Sequence, residues 1–168
     1  VTKEELGGAH IHVYESGTIN NLAKDEDDAI AQIRRFLSYM PSSVDELPPH
    51  VPTDDPPDRR EELLVDVVPR NPRKTYDPRR IIDAVVDRGS FFEIAPFYGR
   101  ARVTGLARID GYPVGVMAND PRRLGGATDA AAGAKAARLL QLCDTFHLPV
   151  VDFADEPGLM VGIEAERQ

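Results

Sequence analysis

A short apolar run near the end of the 168-residue chain leads into acidic residues and a glycine-rich turn. Val150 and Val151 are apolar and β-branched and Phe153 is aromatic, which predicts a buried strand over residues 150–153. Asp152, Asp155 and Glu156 could act as paired carboxylates in acid–base chemistry, or they could be acids that crowd a strand end. The Pro-Gly turn that follows can expose N–H groups that hold an oxyanion or a carbonyl oxygen. An ordinary tight turn fits the same spacing.

Other residues that could do chemistry are isolated. His10 and His12 would share one face of a strand and could bind a metal, but no third ligand lies nearby, and packing histidines fit as well. Ser16 lacks a base in the local sequence, which argues against a serine nucleophile. Cys143 is the single cysteine; it falls in an apolar helical pattern and is interpreted as a small buried hydrophobe. We therefore expect no metal site and no internal disulfide.

Composition limits the class of protein and its partners. The chain is 42% hydrophobic and 29% charged, which suffices for a packed core, and its net charge is −8. That charge argues against nucleic acid or an anionic membrane as the main partner. No run approaches the ~18 apolar residues of a membrane span, and no signal peptide is evident, so we expect a cytoplasmic protein. Arginine pairs that could form a local basic patch or simply solvated faces lie at 34–35, 59–60, 79–80 and 122–123.

The pattern along the chain predicts alternating helices and strands. Thr2 has the position of a helix N-cap, with Gly7-Gly8 as the stop, and "AHIHVYESG" could be a short strand or a loop. "DG" at Asp110-Gly111 between two apolar runs predicts a hairpin. The predicted helices cover 25–40, 78–87 and 128–146, and the predicted strands cover 103–109, 113–118 and 150–153.

These elements predict an α/β layered fold. A strand, a helix and a short return turn favour a parallel pair, so we expect 113–118 and 150–153 to be neighbours in one sheet. The first long helix is expected to bury one apolar face, made of Ala29, Ile30, Ile33, Phe36, Leu37 and Met40. Six prolines between 41 and 57 indicate a linker or an extended crossing segment.

Five successive blocks resemble the carboxyltransferase subunits of biotin-dependent acyl-CoA carboxylases, in the order found there and over nearly the whole chain. They are "ELGGAHIHVYESG", "DEDDAIAQIRRFLSYMPSS", "YDPRRIIDAVVDRGSFFEIAPFYG", "VTGLARIDGYPVGVMANDP" and "GAKAARLLQLCDTFHLPVVDFADEPGLMVG". The resemblance implies a crotonase/ClpP-type spiral α/β fold, incomplete here, in a subunit of two related halves. The N-terminal half would hold the acyl-CoA, and the C-terminal half would hold carboxybiotin.

The implied reaction moves a carboxyl group from N1 of biotin to the α-carbon of an acyl-CoA. Backbone N–H pairs, and no protein nucleophile, would stabilise the oxyanions. Biotin would be carried on a partner subunit or domain. The implied partners are acyl-CoA, the biotin carboxyl carrier and biotin carboxylase components, and further copies of the subunit. A decarboxylase subunit of the same fold and a non-catalytic assembly module remain as alternatives, and the loop "DEPGLMVGIEAE" leaves the acyl chain length open.

The resemblance also implies which residues line the site. Residues 1–57 would be the tail of the N-terminal half with its linker, and 58–168 the first part of the C-terminal half. The family's oxyanion loops would lie before Val1 and after Gln168, so we expect the isolated chain to be inactive. A loop near the acyl-CoA side would comprise Gly7, Gly8 and Ala9. The biotin side would comprise Pro157, Gly158, Leu159, Met160 and Gly162, together with Asn119 and Pro121.

Overall fold

A computed structural model describes residues 1–167 and gives an α/β arrangement around one mixed sheet. Gln168, the end of the second predicted segment, lies outside the described residues. The helices are α1 (Lys3–Gly7), α2 (Glu26–Leu37), α3 (Leu63–Asp66), α4 (Arg79–Val85), α5 (Ala130–Thr145) and α6 (Ile163–Glu166). The strands are β1 (Phe92–Glu93), β2 (Arg102–Ile109), β3 (Tyr112–Asn119) and β4 (Val150–Phe153).

The four strands are ordered β1-β2-β3-β4, with the first two pairs antiparallel. β3 and β4 pair in parallel, from Gly115 opposite Val150 to Ala118 opposite Phe153, and α5 connects them. The predicted neighbouring strands are therefore confirmed, but β4 is not buried as expected, because Val150 and Asp152 are exposed at the edge of the sheet. The hairpin is also confirmed: Asp110 and Gly111 have φ of 50° and 76°, as a type I′ turn requires of both central residues.

Both faces of the sheet are covered, because helices pack on each side. One core cluster lies under α2 and α5 and contains Tyr39, Met40, Leu106, Met117, Leu139, Cys143 and Leu148. The other lies under α4 and contains Ile82, Val86, Val103, Ala107, Val114, Val116 and Ala118. A strand buried on both faces is apolar at successive positions, which is why β3 is buried from Pro113 to Asn119.

Close approach of α5 to β3 depends on Gly115. A Cβ at this position would collide with the Cys143 sulfur, so only glycine allows the helix to lie this near the strand. The sulfur is buried, and burial raises the pKa of the Cys143 thiol to about 11. The interpretation of Cys143 as a small buried hydrophobe is confirmed.

Three expectations about the first 57 residues need correction. "AHIHVYESG" forms a π-helical turn over Ile11–Glu15, neither strand nor loop. α2 ends at Leu37, because Tyr39 and Met40 turn away into the core. The expected apolar face of this helix is only partly covered, since Ile33 is 58% exposed.

The proline-rich segment crosses the molecule as extended chain and is held to the sheet. Val51 donates its N–H to Gly111 O at 3.1 Å, and His50 Nε2 lies 3.0 Å from Asp110 O. Further along, Arg88 donates its N–H to Asp55 Oδ2 at 2.8 Å. The crossing interpretation is therefore correct. Within residues 1–167, no helix has the length and apolar character needed to cross a membrane.

Candidate functional site

The candidate site lies at one edge of the sheet, where parallel strands β3 and β4 both end. Carboxyl ends of parallel strands meet at the same edge, and ligands commonly bind there in α/β folds. Asn119 is the last residue of β3, and the segment 154–162 follows β4. The sequence placed both in the candidate site, and the structure brings them together.

Asn119 organises this edge with its side-chain amide. It is fully buried and donates from Nδ2 to Gly126 O at 2.9 Å. Its Oδ1 accepts from Arg102 at 2.9 Å and from the N–H of Asp155 at 3.3 Å. Asn119 thus joins the turn after β3 to the loop after β4 and acts as a positioning residue. Pro121 is half-buried in the turn that follows.

The loop over residues 157–162 is held on one side and open on the other. Thr128 donates its N–H to Gly158 O at 3.1 Å, and Met160 donates to Thr128 O at 2.9 Å. Within residues 1–167, the N–H groups of Gly158, Leu159 and Gly162 donate to no acceptor. Leu159 is 72% exposed. The loop therefore presents unpaired backbone donors on an open surface, which is one of the two alternatives that the Pro-Gly spacing left open.

The glycines in this loop allow its backbone shape. Gly158 and Gly162 have φ of 137° and 128°, and a Cβ built at either position meets no atom within 4 Å. Space is therefore available for a side chain. The requirement for glycine comes from the positive φ, which L-residues adopt only with strain.

The three acids near the end of β4 do not form a carboxylate pair for acid–base chemistry, because each has a partner. Asp152 and Glu156 both face Arg102, at 3.3 Å and 3.6 Å. The Tyr76 hydroxyl donates to Asp155 Oδ2 at 2.6 Å. Burial, reinforced by this bond, raises the pKa of Tyr76. The acids therefore anchor the loop, and the paired-carboxylate hypothesis is wrong.

A second polar cluster lies beside Asn119, and we call it the arginine network. Arg79 and Arg122 both bind Asp120, with Arg79 NH1 at 3.0 Å from Oδ2 and Arg122 Nε at 2.8 Å from Oδ1. Arg79 also donates from Nε to Glu93 at 2.7 Å, and Arg122 donates from NH1 to Asp77 at 2.7 Å. The network fixes α4, β1 and the end of β3 relative to one another.

Opposing effects act on the carboxyl of Asp120. Burial would raise its pKa, but the hydrogen bonds from Arg122 and Arg79 outweigh burial and hold the pKa below its usual value. Asp120 is therefore ionised at neutral pH. Sequence reasoning missed this network, although the "DPRR" and "NDPRR" repeats of Asp77–Arg80 and Asn119–Arg123 carried its signal.

Lys135 is a buried cation that the sequence did not single out. It is 3% exposed, and its Nζ donates to the carbonyl oxygens of Ala95, Tyr98 and Arg102 at 2.7, 3.0 and 2.8 Å. Burial lowers the pKa of Lys135 to about 8. The ammonium group thus fastens the turn before β2 to α5.

The N-terminal candidates form a separate local structure. Gly7 ends α1, and Gly8 follows as its buried C-cap. A Cβ on Gly8 would lie 2.7 Å from Glu4 O, so Gly8 permits a close backbone approach. Ala9 is exposed. Within residues 1–167, no hydrogen bond or ion pair joins Gly7, Gly8 or Ala9 to the loop over 157–162.

The histidine pair does not point toward one metal. His12 Nδ1 lies 3.1 Å from Thr18 Oγ1, whereas His10 stacks on Tyr14 with ring centroids 4.6 Å apart. Ser16 Oγ lies 3.0 Å from the same Thr18 hydroxyl. In the part of the chain that the structure describes, no three His, Cys, Asp or Glu side chains are grouped to hold a metal ion.

Comparison with known proteins extends over the whole chain. The family model described as "Carboxyl transferase domain" matches residues 1–168. Methylmalonyl-CoA decarboxylase subunit alpha of Veillonella parvula is 42% identical over 99% of this chain and 33% of its own length. Human mitochondrial propionyl-CoA carboxylase beta chain is 37% identical over 99% of this chain and 31% of its own length. The chain thus spans about a third of the length of these curated relatives.

The chain is also similar to a solved structure over nearly its whole length. A crystal structure of hexameric transcarboxylase 12S with methylmalonyl-coenzyme A and methylmalonic acid bound superposes with a TM-score of 0.93 at 38% identity. The match covers 99% of this chain and 32% of that one. The chain therefore belongs to the carboxyl transferase domain family and has part of that family's crotonase-type α/β fold.

Proposed function

We propose that the protein containing this chain transfers a carboxyl group from carboxybiotin to the α-carbon of an acyl-CoA. The observation that carries this proposal is the superposition on transcarboxylase 12S, with a TM-score of 0.93 at 38% identity, since that structure has methylmalonyl-coenzyme A bound. In this proposal residues 1–57 belong to the N-terminal half of the carboxyltransferase, and residues from 58 begin the C-terminal half.

The loop over residues 157–162 would contribute backbone donors on the biotin side. Negative charge develops on a carbonyl oxygen during carboxyl transfer, and preorganised N–H groups stabilise such charge. The unpaired N–H groups of Gly158, Leu159 and Gly162 support this role, and the Thr128 bridge keeps them in place. Asn119 and Pro121 would position the loop, and Met160 would anchor it. Gly7, Gly8 and Ala9 would lie toward the acyl-CoA side.

The backbone N–H donors on the open side of this loop fit the hydrogen-bonding needs of biotin. A ureido carbonyl is a hydrogen-bond acceptor, and the unpaired N–H groups of this loop are donors that suit it. When bound, carboxybiotin supplies the carboxyl group. A biotin carboxyl carrier and a biotin carboxylase component would deliver it. Copies of the subunit would assemble into an oligomer, which the hexamer assembly of transcarboxylase 12S supports.

A decarboxylase is the second candidate. It is favoured by the 42% identity to methylmalonyl-CoA decarboxylase subunit alpha. In that case the carboxyl group would pass from an acyl-CoA to biotin, and the same loop would hold the acceptor.

The full-length protein tests the proposal. Transfer of labelled carboxyl from carboxybiotin to propionyl-CoA is expected, and transfer from methylmalonyl-CoA to free biotin measures the opposite direction. If carboxylation of propionyl-CoA requires an ATP-driven biotin carboxylase, the result would favour an acyl-CoA carboxylase over a decarboxylase. No transfer in either direction would contradict both candidates. The isolated chain of 168 residues is expected to be inactive in both assays.

Gly158→Val tests the loop itself. The substitution strains a backbone with φ of 137°, so transfer is expected to fall about tenfold or more, since loss of one oxyanion donor costs roughly 100–1000-fold. Gly89→Val is the matched control. Gly89 has φ of 70° and nothing within 4 Å of its Cβ, but lies after α4. Equal activity in both variants would mean that the loop is only a turn.

A further inference from the structure

Arg79 and the arginine pair Arg122-Arg123 meet Arg100 at one pocket, which we call the arginine pocket. Its lining residues are Arg79, Arg100, Asp120, Arg122 and Arg123, and its volume is about 360 Å³. A water occupies ~30 Å³ of liquid, so the pocket has room for a phosphate or diphosphate group with some of its hydration. The pocket adjoins the arginine network described above but does not include the loop over residues 157–162.

The charges of the pocket are unevenly compensated. Arg79 and Arg122 are held by carboxylates, and both oxygens of Asp120 accept from them. Arg100 and Arg123, by contrast, have no carboxylate partner among the side chains that the structure describes. The protein as a whole carries a net charge of −8. The two uncompensated guanidinium groups therefore make this concave site positively charged, whereas the average surface is negatively charged. Such a site attracts an anion.

Both uncompensated arginines extend from turns that are fixed. Arg100 follows Gly99, whose φ is 51° and whose built Cβ would lie 2.7 Å from Ala131 O, so the turn rests against the start of α5. Arg123 donates its N–H to Asp120 O at 2.9 Å, and Gly126 donates to Arg123 O at 2.8 Å. Since the backbone is already ordered, an anion would order only the side chains, which lowers the entropic cost of binding.

We propose that the arginine pocket is a binding site for a phosphate-class anion. Planar guanidinium groups match phosphate oxygens with paired N–H donors. Arg100 and Arg123 would contact the ligand directly, and Arg122 would do so with donors that Asp77 and Asp120 leave free. Asp120 would hold Arg79 and Arg122 in place without contacting the ligand. The anion could be free or could be the diphosphate of a nucleotide-like substrate.

Calorimetric titration of the full-length protein with inorganic pyrophosphate at low ionic strength tests the site. Arg100→Gln/Arg123→Gln is expected to weaken binding at least tenfold. Arg34→Gln/Arg60→Gln makes the same change of charge at exposed arginines outside the pocket and is expected to change the Kd less than twofold. Arg123→Gln tests the site should the first double variant fail to fold.

Two further titrations identify the source of the anion. If CoA and 3′-dephospho-CoA both compete with pyrophosphate for the site, the ligand is the diphosphate of the nucleotide. If pyrophosphate binds equally well to CoA-saturated protein, the ligand is a free anion. Absence of binding by the unaltered protein, or equal weakening in both double variants, would overturn the proposal. No biotin or transfer assay enters this test, so its outcome is independent of the proposed reaction.

Discussion

β3 and β4 run in parallel and end side by side, yet the residues at their two ends differ in burial and in hydrogen bonding. At the end of β3, Asn119 and the following Asp120 are buried, and their side-chain oxygens accept hydrogen bonds from neighbouring arginines. After β4, the loop over residues 157–162 is largely exposed, and within residues 1–167 the N–H groups of Gly158, Leu159 and Gly162 are unpaired. Buried polar groups must be satisfied, whereas an exposed donor remains available for a ligand. The first segment therefore gives the edge its shape, and the second can bind.

The largest effect is expected where a buried charge loses its partner. Asp120→Ala removes a side chain that is 4% exposed and that binds both Arg79 and Arg122. Breaking a buried ion pair costs about 3–5 kcal/mol, so we expect about 3 kcal/mol lower stability in denaturant unfolding of the full-length protein. Asp54→Ala, an exposed change, is the control. Equal stability of the two variants would mean that the network does not support the fold.

Asn119→Ala tests the neutral part of the same edge. The change leaves Gly126 O and the N–H of Asp155 without their side-chain partner. An unsatisfied buried polar group costs about 1–3 kcal/mol, and we expect about 2 kcal/mol lower stability with faster amide exchange in the loop. Asn20→Ala, at an exposed position, should be neutral. Unaltered exchange in the loop would show that Asn119 does not position it.

Lys135 supplies a pH-dependent contrast. Burial lowers its pKa to about 8 in the folded protein from 10.5, so above pH 8 the unfolded chain binds more protons. Stability contributed by this group therefore rises with pH. Between pH 7.5 and 9.0 we expect the unfolding free energy to increase by about 1 kcal/mol relative to Lys135→Met. Lys74→Met, at an exposed position, should leave the pH dependence unchanged. The prediction would be contradicted if the unfolding free energy of the unaltered protein, relative to that of Lys135→Met, decreased as the pH rises.

The smallest effect is expected in the exposed loop. Leu159→Ala removes a side chain that is 72% exposed and retains its N–H group. Exposed substitutions change stability by less than ~0.5 kcal/mol, and transfer by the full-length protein should stay within a factor of about 2. A large loss of transfer with unchanged stability would show that the side chain, not the backbone, does the work of this loop.

The sequence by itself determined the local elements of this protein. Asp110-Gly111 predicted the hairpin, and the spacing of an apolar strand, a helix and a second strand predicted that β3 and β4 are parallel neighbours. These signals are local, because turn chemistry and hydrophobic periodicity act over a few residues. The five quoted blocks also indicated the family that the comparisons confirmed.

Only the tertiary structure decided how distant polar residues are paired. Asp155 and Glu156 look like a carboxylate pair in sequence, but Tyr76 and Arg102 reach them from other elements. The apolar residues of α2 recur with helical periodicity, yet which of them are exposed depends on how much of the helix packs against the sheet. Likewise, Arg100 meets Arg122 and Arg123 only because β2 and β3 lie side by side and bring the two turns to one pocket. Contacts of this kind depend on the register of the strands, which no local spacing encodes.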